Sequence, residues 1–342
     1  MITRFFLFFF SFIAFTAFAS YDVVGIGAPI IDFSIPLNEE ELLKVSGKTG
    51  GSVVVDWETF KSIRDLGNDR PISINAGGSA SNTIRALSNL GKKCAIIGKI
   101  GNDEMGKIYL EKISSLGIDL RFTTSNTPTG QVICLITPSG ERTLRAFPGA
   151  STELRGDELS LDQFEEAKIV HIEGYTLYND QLAENAMKLA KQKGCLVSFD
   201  LGSHEIAAKY REHIISLLKE YVDIAFANED EIKNLTNCTQ LEEGCYQLQQ
   251  MVPIGIVLNG KNGCYVGHQN HIFHCPTFEA KAIDSTGAGD FFASGFLYGV
   301  LHNCPIRDCA RLGNLLGSTV VEHVGATLPE EKWDQIRVLI SN

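Results

Sequence analysis

No two cysteines stand in a CxxC arrangement and none shares a metal-ligand spacing with histidine, although the chain has nine cysteines. That absence excludes a zinc ribbon or a disulfide scaffold and leaves reduced, mostly buried thiols. A long basic run is missing too. The 30 Lys and Arg against 41 Asp and Glu give a formal charge of −11, which disfavours nucleic acid and anionic membranes and leaves a small molecule as the expected partner. Internal repeats, low-complexity tracts and linkers are also absent, so nothing divides the 342 residues into independent domains. With 44% hydrophobic residues, the chain can bury a large core.

Residues 1–20, MITRFFLFFFSFIAFTAFAS, pull the other way. Arg4 precedes an apolar run that ends at Ala17-Phe18-Ala19, the form of a signal-peptidase site. This leader reads either as an export signal or anchor, or as an extension contributed by an upstream start, since the next segment already begins the fold.

From Tyr21 onward, continuous apolar runs alternate with amphipathic segments. CAIIGKIG, KIVHIEG, CLVSFDL, VDIAFAN and PIGIVLNG are the apolar runs; in NDQLAENAMKLAKQKG, Leu182, Ala186, Leu189 and Ala190 share a helical face and Gly194 follows the end. Strands and helices in this order imply an α/β fold with a mostly parallel sheet covered on both faces. Two stretches break the rhythm, roughly 33–75 and 119–149. The second holds GQVICLITPSGERTLRAF, whose alternating runs around Pro138-Ser139-Gly140 predict an antiparallel hairpin. A body with a β-rich excursion has the layout of an enzyme with a lid.

Three segments carry candidate chemistry. In KAIDSTGAGDFFASGFLYGV, residues 281–300, Phe292, Phe296 and Val300 share a helical face, which puts Gly287, Ala288 and Gly289 in the first turn. N–H groups there lack intrahelical acceptors and suit an anion. Asp290 beside a bound anion is costly unless its charge is used, and accepting a proton from an attacking hydroxyl is one such use. The alternative is a capping turn whose aspartate satisfies backbone donors. In NAGGSASNTIRALSNLG, Ala80, Ile84, Leu87 and Leu90 form an apolar stripe, so Gly77 and Gly78 stand at a helix entrance with Asn82 just inside. Paired glycines allow a ligand close to the backbone, and an asparagine both donates to and accepts from a hydroxyl. ANEDEIKNL sets Asn228 and Glu231 on one side of a strand-to-helix junction, a neutral oxygen and a carboxylate that suit hydrated Mg²⁺ or, alternatively, a dipole-stabilised first turn.

Together and in this order, Gly77 to Asn82, Asn228 to Glu231 and DSTGAGD resemble the motifs of the ribokinase-like sugar and nucleoside kinases, the PfkB family. The resemblance runs from about Tyr21 to the C-terminus and includes GKIGNDEMG and VLNGKNG. Ser285 stands where the family commonly has Thr. Within the family, the insert before NAGGSASN, the GERTLRAFPGAS segment and the tail RLGNLLGSTVVEHVGATLP resemble the adenosine kinase branch. The resemblance implies a three-layer ribokinase-like sandwich with a small β-rich lid, ATP and Mg²⁺ as cofactors, and a monovalent cation such as K⁺. It implies a phosphotransferase acting on the primary hydroxyl of an adenosine-like nucleoside or a sugar; a ribokinase- or fructokinase-type sugar kinase and an inactive nucleotide-binding regulator are the alternatives.

The same resemblance assigns roles. Asp290 is the base and Gly287, Ala288 and Gly289 form the anion hole. Asp32, Gly78 and Asn82 hold the sugar, although Ala28 stands where adenosine kinases often have Asn. Asn228, Gly260, Gly263 and Asn314 contact ATP, with Asn228 and Glu231 positioning Mg²⁺ through water. Asp284 belongs to the turn and to the monovalent-cation site. Apart from the resemblance, Arg142 on the lid hairpin either brings positive charge inward on closure or is an exposed strand arginine. ATP chemistry favours the cytoplasm over export; a monomer or homodimer that meets only small molecules is expected.

Overall fold

The computed structural model describes residues 21–45, 47, 52–138 and 142–341; the leader lies outside them. Strands are numbered in chain order. The larger sheet contains β1 (Tyr21–Ile26), β5 (Cys94–Gly101), β6 (Asp119–Ser125), β9 (Ala167–Glu173), β10 (Leu196–Asp200), β11 (Ile224–Asn228), β12 (Ile254–Leu258), β13 (Cys264–His268) and β14 (His271–Cys275). Its order is β14-β13-β12-β11-β10-β9-β1-β5-β6, parallel from β6 to β12 and antiparallel at β13 and β14.

Alternation along each strand explains the layers. Val23, Ile96, Ile169 and Phe226 point into a core shared with Ile84 and Leu87 of the Ser79–Asn89 helix and with Phe292 and Phe296 of the Ala288–Leu301 helix. Their neighbours Val24, Ile97, Val170 and Ala225 point into the opposite core, against Leu182, Ala186 and Ala190 of the Leu182–Gln192 helix. The sheet is therefore buried on both faces, which is why its strands read as unbroken apolar runs.

The smaller sheet, in the order β3-β8-β7-β2-β4, is built from β2 (Ile30–Pro36), β3 (Ser52–Val54), β4 (Ser73–Gly77), β7 (Gly130–Ile136) and β8 (Arg142–Phe147). The expected hairpin forms, with β7 and β8 antiparallel from Gln131↔Phe147 to Ile136↔Arg142; the tip at residues 139–141 lies outside the described residues. The excursion differs from expectation in one respect. β6, at the head of the 119–149 stretch, joins the larger sheet in parallel with β5, so the lid resumes only at Gly130. None of its residues is fully buried, as its place at the sheet's edge allows.

Candidate active site

The carboxyl ends of the parallel strands converge on one cavity of about 1660 Å³, roofed by the smaller sheet. Such crevices are where open α/β sheets bind ligands, and this one exceeds the ~300–1,000 Å³ typical of a single small-molecule pocket. Asp32, Gly78, Asn82, Asp290, Asn228 and Gly260 all line it.

Asp290 sits in the first turn of the Ala288–Leu301 helix and is held from the facing helix start. Ser79 Oγ donates to Oδ1 at 2.7 Å and Asn82 Nδ2 donates to Oδ2 at 2.8 Å. Burial raises its carboxyl to about 6, while these two donors favour the charged form. Near neutral pH it is a carboxylate in a partly dry site, able to take a proton. Asn82 is itself buried, and its Oδ1 has no partner within the protein. A buried acceptor left open beside a base is a place for a ligand hydroxyl.

No side chain caps the Ala288–Leu301 helix. Gly287 occupies the cap position at φ +77°, left-handed backbone that a non-glycine residue adopts at a cost. Of the proposed anion-hole residues, Ala288 turns its N–H back to the Ser285 carbonyl at 3.2 Å. Asp284 is a structural element of the turn: its carboxylate accepts from the N–H of Thr286 and the N–H of Gly325, both at 2.7 Å.

The Asn228 pair is organised differently. Asn228 caps the Glu229–Thr236 helix, accepting through Oδ1 from the N–H groups of Asp230 and Glu231, each at 3.0 Å. Glu231 reaches back to accept from the Asn228 N–H at 2.8 Å and from Nδ2 at 2.6 Å, which completes a capping box. The capping interpretation of this spacing is therefore physically present. Burial and the neighbouring Asp200 carboxylate both push the Glu231 carboxyl upward. Among the described residues no group of three or more His, Cys, Asp or Glu is arranged to hold a metal ion.

At the opposite end, Gly260 and Gly263 bracket the turn between β12 and β13 and line the cavity. Asn314 also reaches the wall, but its amide donates to the carbonyls of Cys275 at 3.1 Å and Pro276 at 3.3 Å. It pins the β14 exit to the Ile306–Val320 helix, a role the sequence reading of a nucleotide contact did not include. Arg142 begins β8, and its side chain lies outside the described residues.

Around the acceptor end, Asp32 on β2 has its carboxyl raised to about 7 by burial against the pull of Arg85. Gly78 adopts φ +97°, and a Cβ there would stand 2.0 Å from the Ala28 carbonyl oxygen. Of the apolar residues in the insert before NAGGSASN, Val53 lines the cavity, whereas Val55 and Trp57 pack into the lid's own core. Trp57 lies 5.8 Å from the Phe60 ring and 4.8 Å from that of Phe147. Residues that sequence reasoning missed include Ser79, Glu173 and the tyrosines Tyr175 and Tyr178, which line the cavity with partly exposed rings. Only GYTLY directly after an apolar strand could have signalled the tyrosines.

The chain is similar to known proteins over most of its length. The chain is 29% identical over 299 residues to a nucleoside kinase of Methanothermobacter thermautotrophicus, covering 84% of this chain and 92% of that one. It is 29% identical over 243 residues to an uncharacterized sugar kinase of Archaeoglobus fulgidus, covering 70% of this chain and 96% of that one. A crystal structure of adenosine kinase from Sinorhizobium meliloti superposes with a TM-score of 0.85 at 25% identity, covering 94% of this chain and 99% of that one. Residues 49–333 match the family model described as pfkB family carbohydrate kinase. That match spans well over half of the chain, which belongs to the pfkB family of carbohydrate kinases.

Proposed function

We propose that this kinase transfers the γ-phosphoryl group of ATP to the primary hydroxyl of a nucleoside, adenosine first. Kinases of this family use ATP, generally with Mg²⁺. The observation that carries the nucleoside reading is the mixed wall of the cavity, which combines Asp32 and Asn82 with Val53, Val132, Leu144 and the Tyr175 and Tyr178 rings, Val132 lying opposite Asp32 across β2 and β7. Polar groups suit a sugar, and an apolar, aromatic wall suits a flat base. The nucleoside kinase and adenosine kinase relatives support it.

In this reading, Asp32 and Asn82 hold the acceptor's hydroxyls and Asp290 accepts the proton of the attacking one. The oxygen then forms its bond to the γ-phosphorus as the bond to the β-phosphate oxygen breaks and ADP leaves. N–H groups at the start of the Ala288–Leu301 helix, Gly289 among them, face the charge on the transferring group. Asn228 and Glu231 offer hard oxygen donors that fit a hydrated Mg²⁺, held through water. When bound, that ion would neutralise phosphate charge. Gly260 and Gly263 lie toward the nucleotide's base. The reading also includes a monovalent cation such as K⁺ near the turn that Asp284 organises, and a monomeric or homodimeric protein of the cytoplasm. No helix among the described residues is long and apolar enough to cross a membrane.

A panel assay with ATP and Mg²⁺ against adenosine, other nucleosides, ribose and fructose tests the acceptor. Adenosine is expected to exceed both free sugars in kcat/KM by at least about tenfold, equal to about 1.4 kcal/mol of transition-state binding. Preference for a free sugar overturns the nucleoside reading and leaves a sugar kinase.

A further inference from the structure

Glu173 ends β9 with no solvent exposure. Both its oxygens are committed to the backbone of other elements: Oε1 accepts from the Ala28 N–H at 2.8 Å and Oε2 from the Ala80 N–H at 2.7 Å. Ala28 belongs to the turn that leads from β1 into the lid, against the acceptor end of the cavity. Ala80 belongs to the first turn of the Ser79–Asn89 helix, whose cap residue Gly78 has no side chain to satisfy it. That same turn carries Ser79 and Asn82, the two donors that hold Asp290.

We infer that Glu173 is a positioning residue for phosphoryl transfer, a single buried carboxylate that fixes the acceptor turn at Ala28 relative to the helix start that aims Asp290. The inference rests on the reading of Asp290 as the base. A buried carboxylate is costly to keep, and a serine or aspartate at the cap position would satisfy a helix start by local means. What a local cap cannot do is reach Ala28 as well. The neighbouring sequence is fitted to this arrangement. A Cβ at Gly27 would stand 2.4 Å from Glu173 Oε2 and 2.8 Å from the Ala80 Cβ, so position 27 must remain bare for the carboxylate to sit between the two amides. Burial pushes the Glu173 carboxyl up to about 8 while the two N–H donors pull it back, as they would in favouring the carboxylate that accepts from both.

Glu173→Gln keeps the shape and turns an amide NH₂ onto one of the two backbone donors, which leaves that donor unpaired. Gly27→Ala keeps the carboxylate and displaces it. The test is steady-state kinetics of the full chain with ATP, Mg²⁺ and the best acceptor from the panel, alongside circular dichroism. Wild-type turnover that Asp290→Asn abolishes establishes the underlying reading; a wild type inactive on every acceptor overturns that reading and the inference with it. With an active wild type, each variant is expected to lose about 10- to 100-fold in kcat/KM for the acceptor while its KM for ATP stays within about twofold. The double variant is expected to lose clearly less than the product of the two single losses, because both disturb one contact. A folded Glu173→Gln with wild-type acceptor kinetics, KM values for ATP and acceptor rising together, or independent multiplication in the double variant would each overturn the inference. Should Glu173→Gln not fold, Gly27→Ala alone decides by the same split between acceptor and ATP.

Discussion

The helices that start at Glu229 and Ala288 open onto the same cavity and use the third residue of their first turns in opposite ways. Glu231 folds back to accept from Asn228, so this start is satisfied by its own side chains. Asp290, at the equivalent position, reaches away to Ser79 and Asn82, and Gly287 leaves its helix uncapped. An acidic residue three positions into a helix is thus no functional signal by itself. What distinguishes Asp290 is that its partners come from a separate element more than two hundred residues away, while no side chain caps its helix start.

Breaking the open start should cost most. Asp290→Asn is expected to lower kcat by on the order of 10²- to 10⁴-fold, with ATP binding by calorimetry preserved, because the amide keeps the shape and loses the base. Near-wild-type turnover would end the assignment. Gly287→Ala attacks the same start through its backbone: a new Cβ at φ +77° would lie 2.5 Å from the Ala326 Cβ. It should reduce stability by about 1–2 kcal/mol or more and kcat by about tenfold or more, measured by denaturant melts and initial rates. A substitution without kinetic effect would mean that the turn does not hold the transferring group.

Acid sharpens the comparison without mutation. The Asp290 carboxyl is raised to about 6, so the base is charged and competent above that pH and becomes protonated as pH falls through it. The kcat/KM for the acceptor should therefore fall about tenfold per pH unit below about 6, an earlier loss than an ordinary aspartate would give. A flat profile down to pH 5 would contradict this. The smallest effect is expected at the closed start. Glu231→Gln should lower stability by roughly 1 kcal/mol through the lost capping box and raise the Mg²⁺ needed for half-maximal rate by less than about tenfold. An unchanged magnesium titration would leave Glu231 as a cap and nothing more.

The body of the fold was legible because strands buried on both faces cannot disguise themselves. Val23 and Val24 face different cores, so the run between Tyr21 and Ile26 has no polar face to lose. β6 was misplaced because a partly exposed edge strand lacks the unbroken apolar run of the inner strands, and only pairing with β5 assigns it to the larger sheet. Asp290, Asn82 and Gly287 were legible because glycine, asparagine and aspartate at helix starts are few-purpose choices. Glu173 was hidden at the end of an apolar run, since its partners at Ala28 and Ala80 are backbone amides and carry no side-chain signature. The structural side of Asn314 was hidden for a related reason, since its partners, the carbonyls of Cys275 and Pro276, are backbone groups.

The tether at Asp284 bears on how the enzyme can move. By bonding both Thr286 and Gly325, while the N–H groups of Ile283 and Asp284 donate to the Val321 carbonyl, it fastens the phosphate-facing turn to the body on both flanks. The lid's roots are fastened too. Glu173 accepts from the N–H of Ala28 at 2.8 Å, and the Asp103 carboxylate accepts from the N–H of Thr129 at 2.9 Å and from its hydroxyl. In mechanical terms the turn is an anvil riveted to the same frame as the lid's roots, so the two are set relative to each other before any ligand arrives.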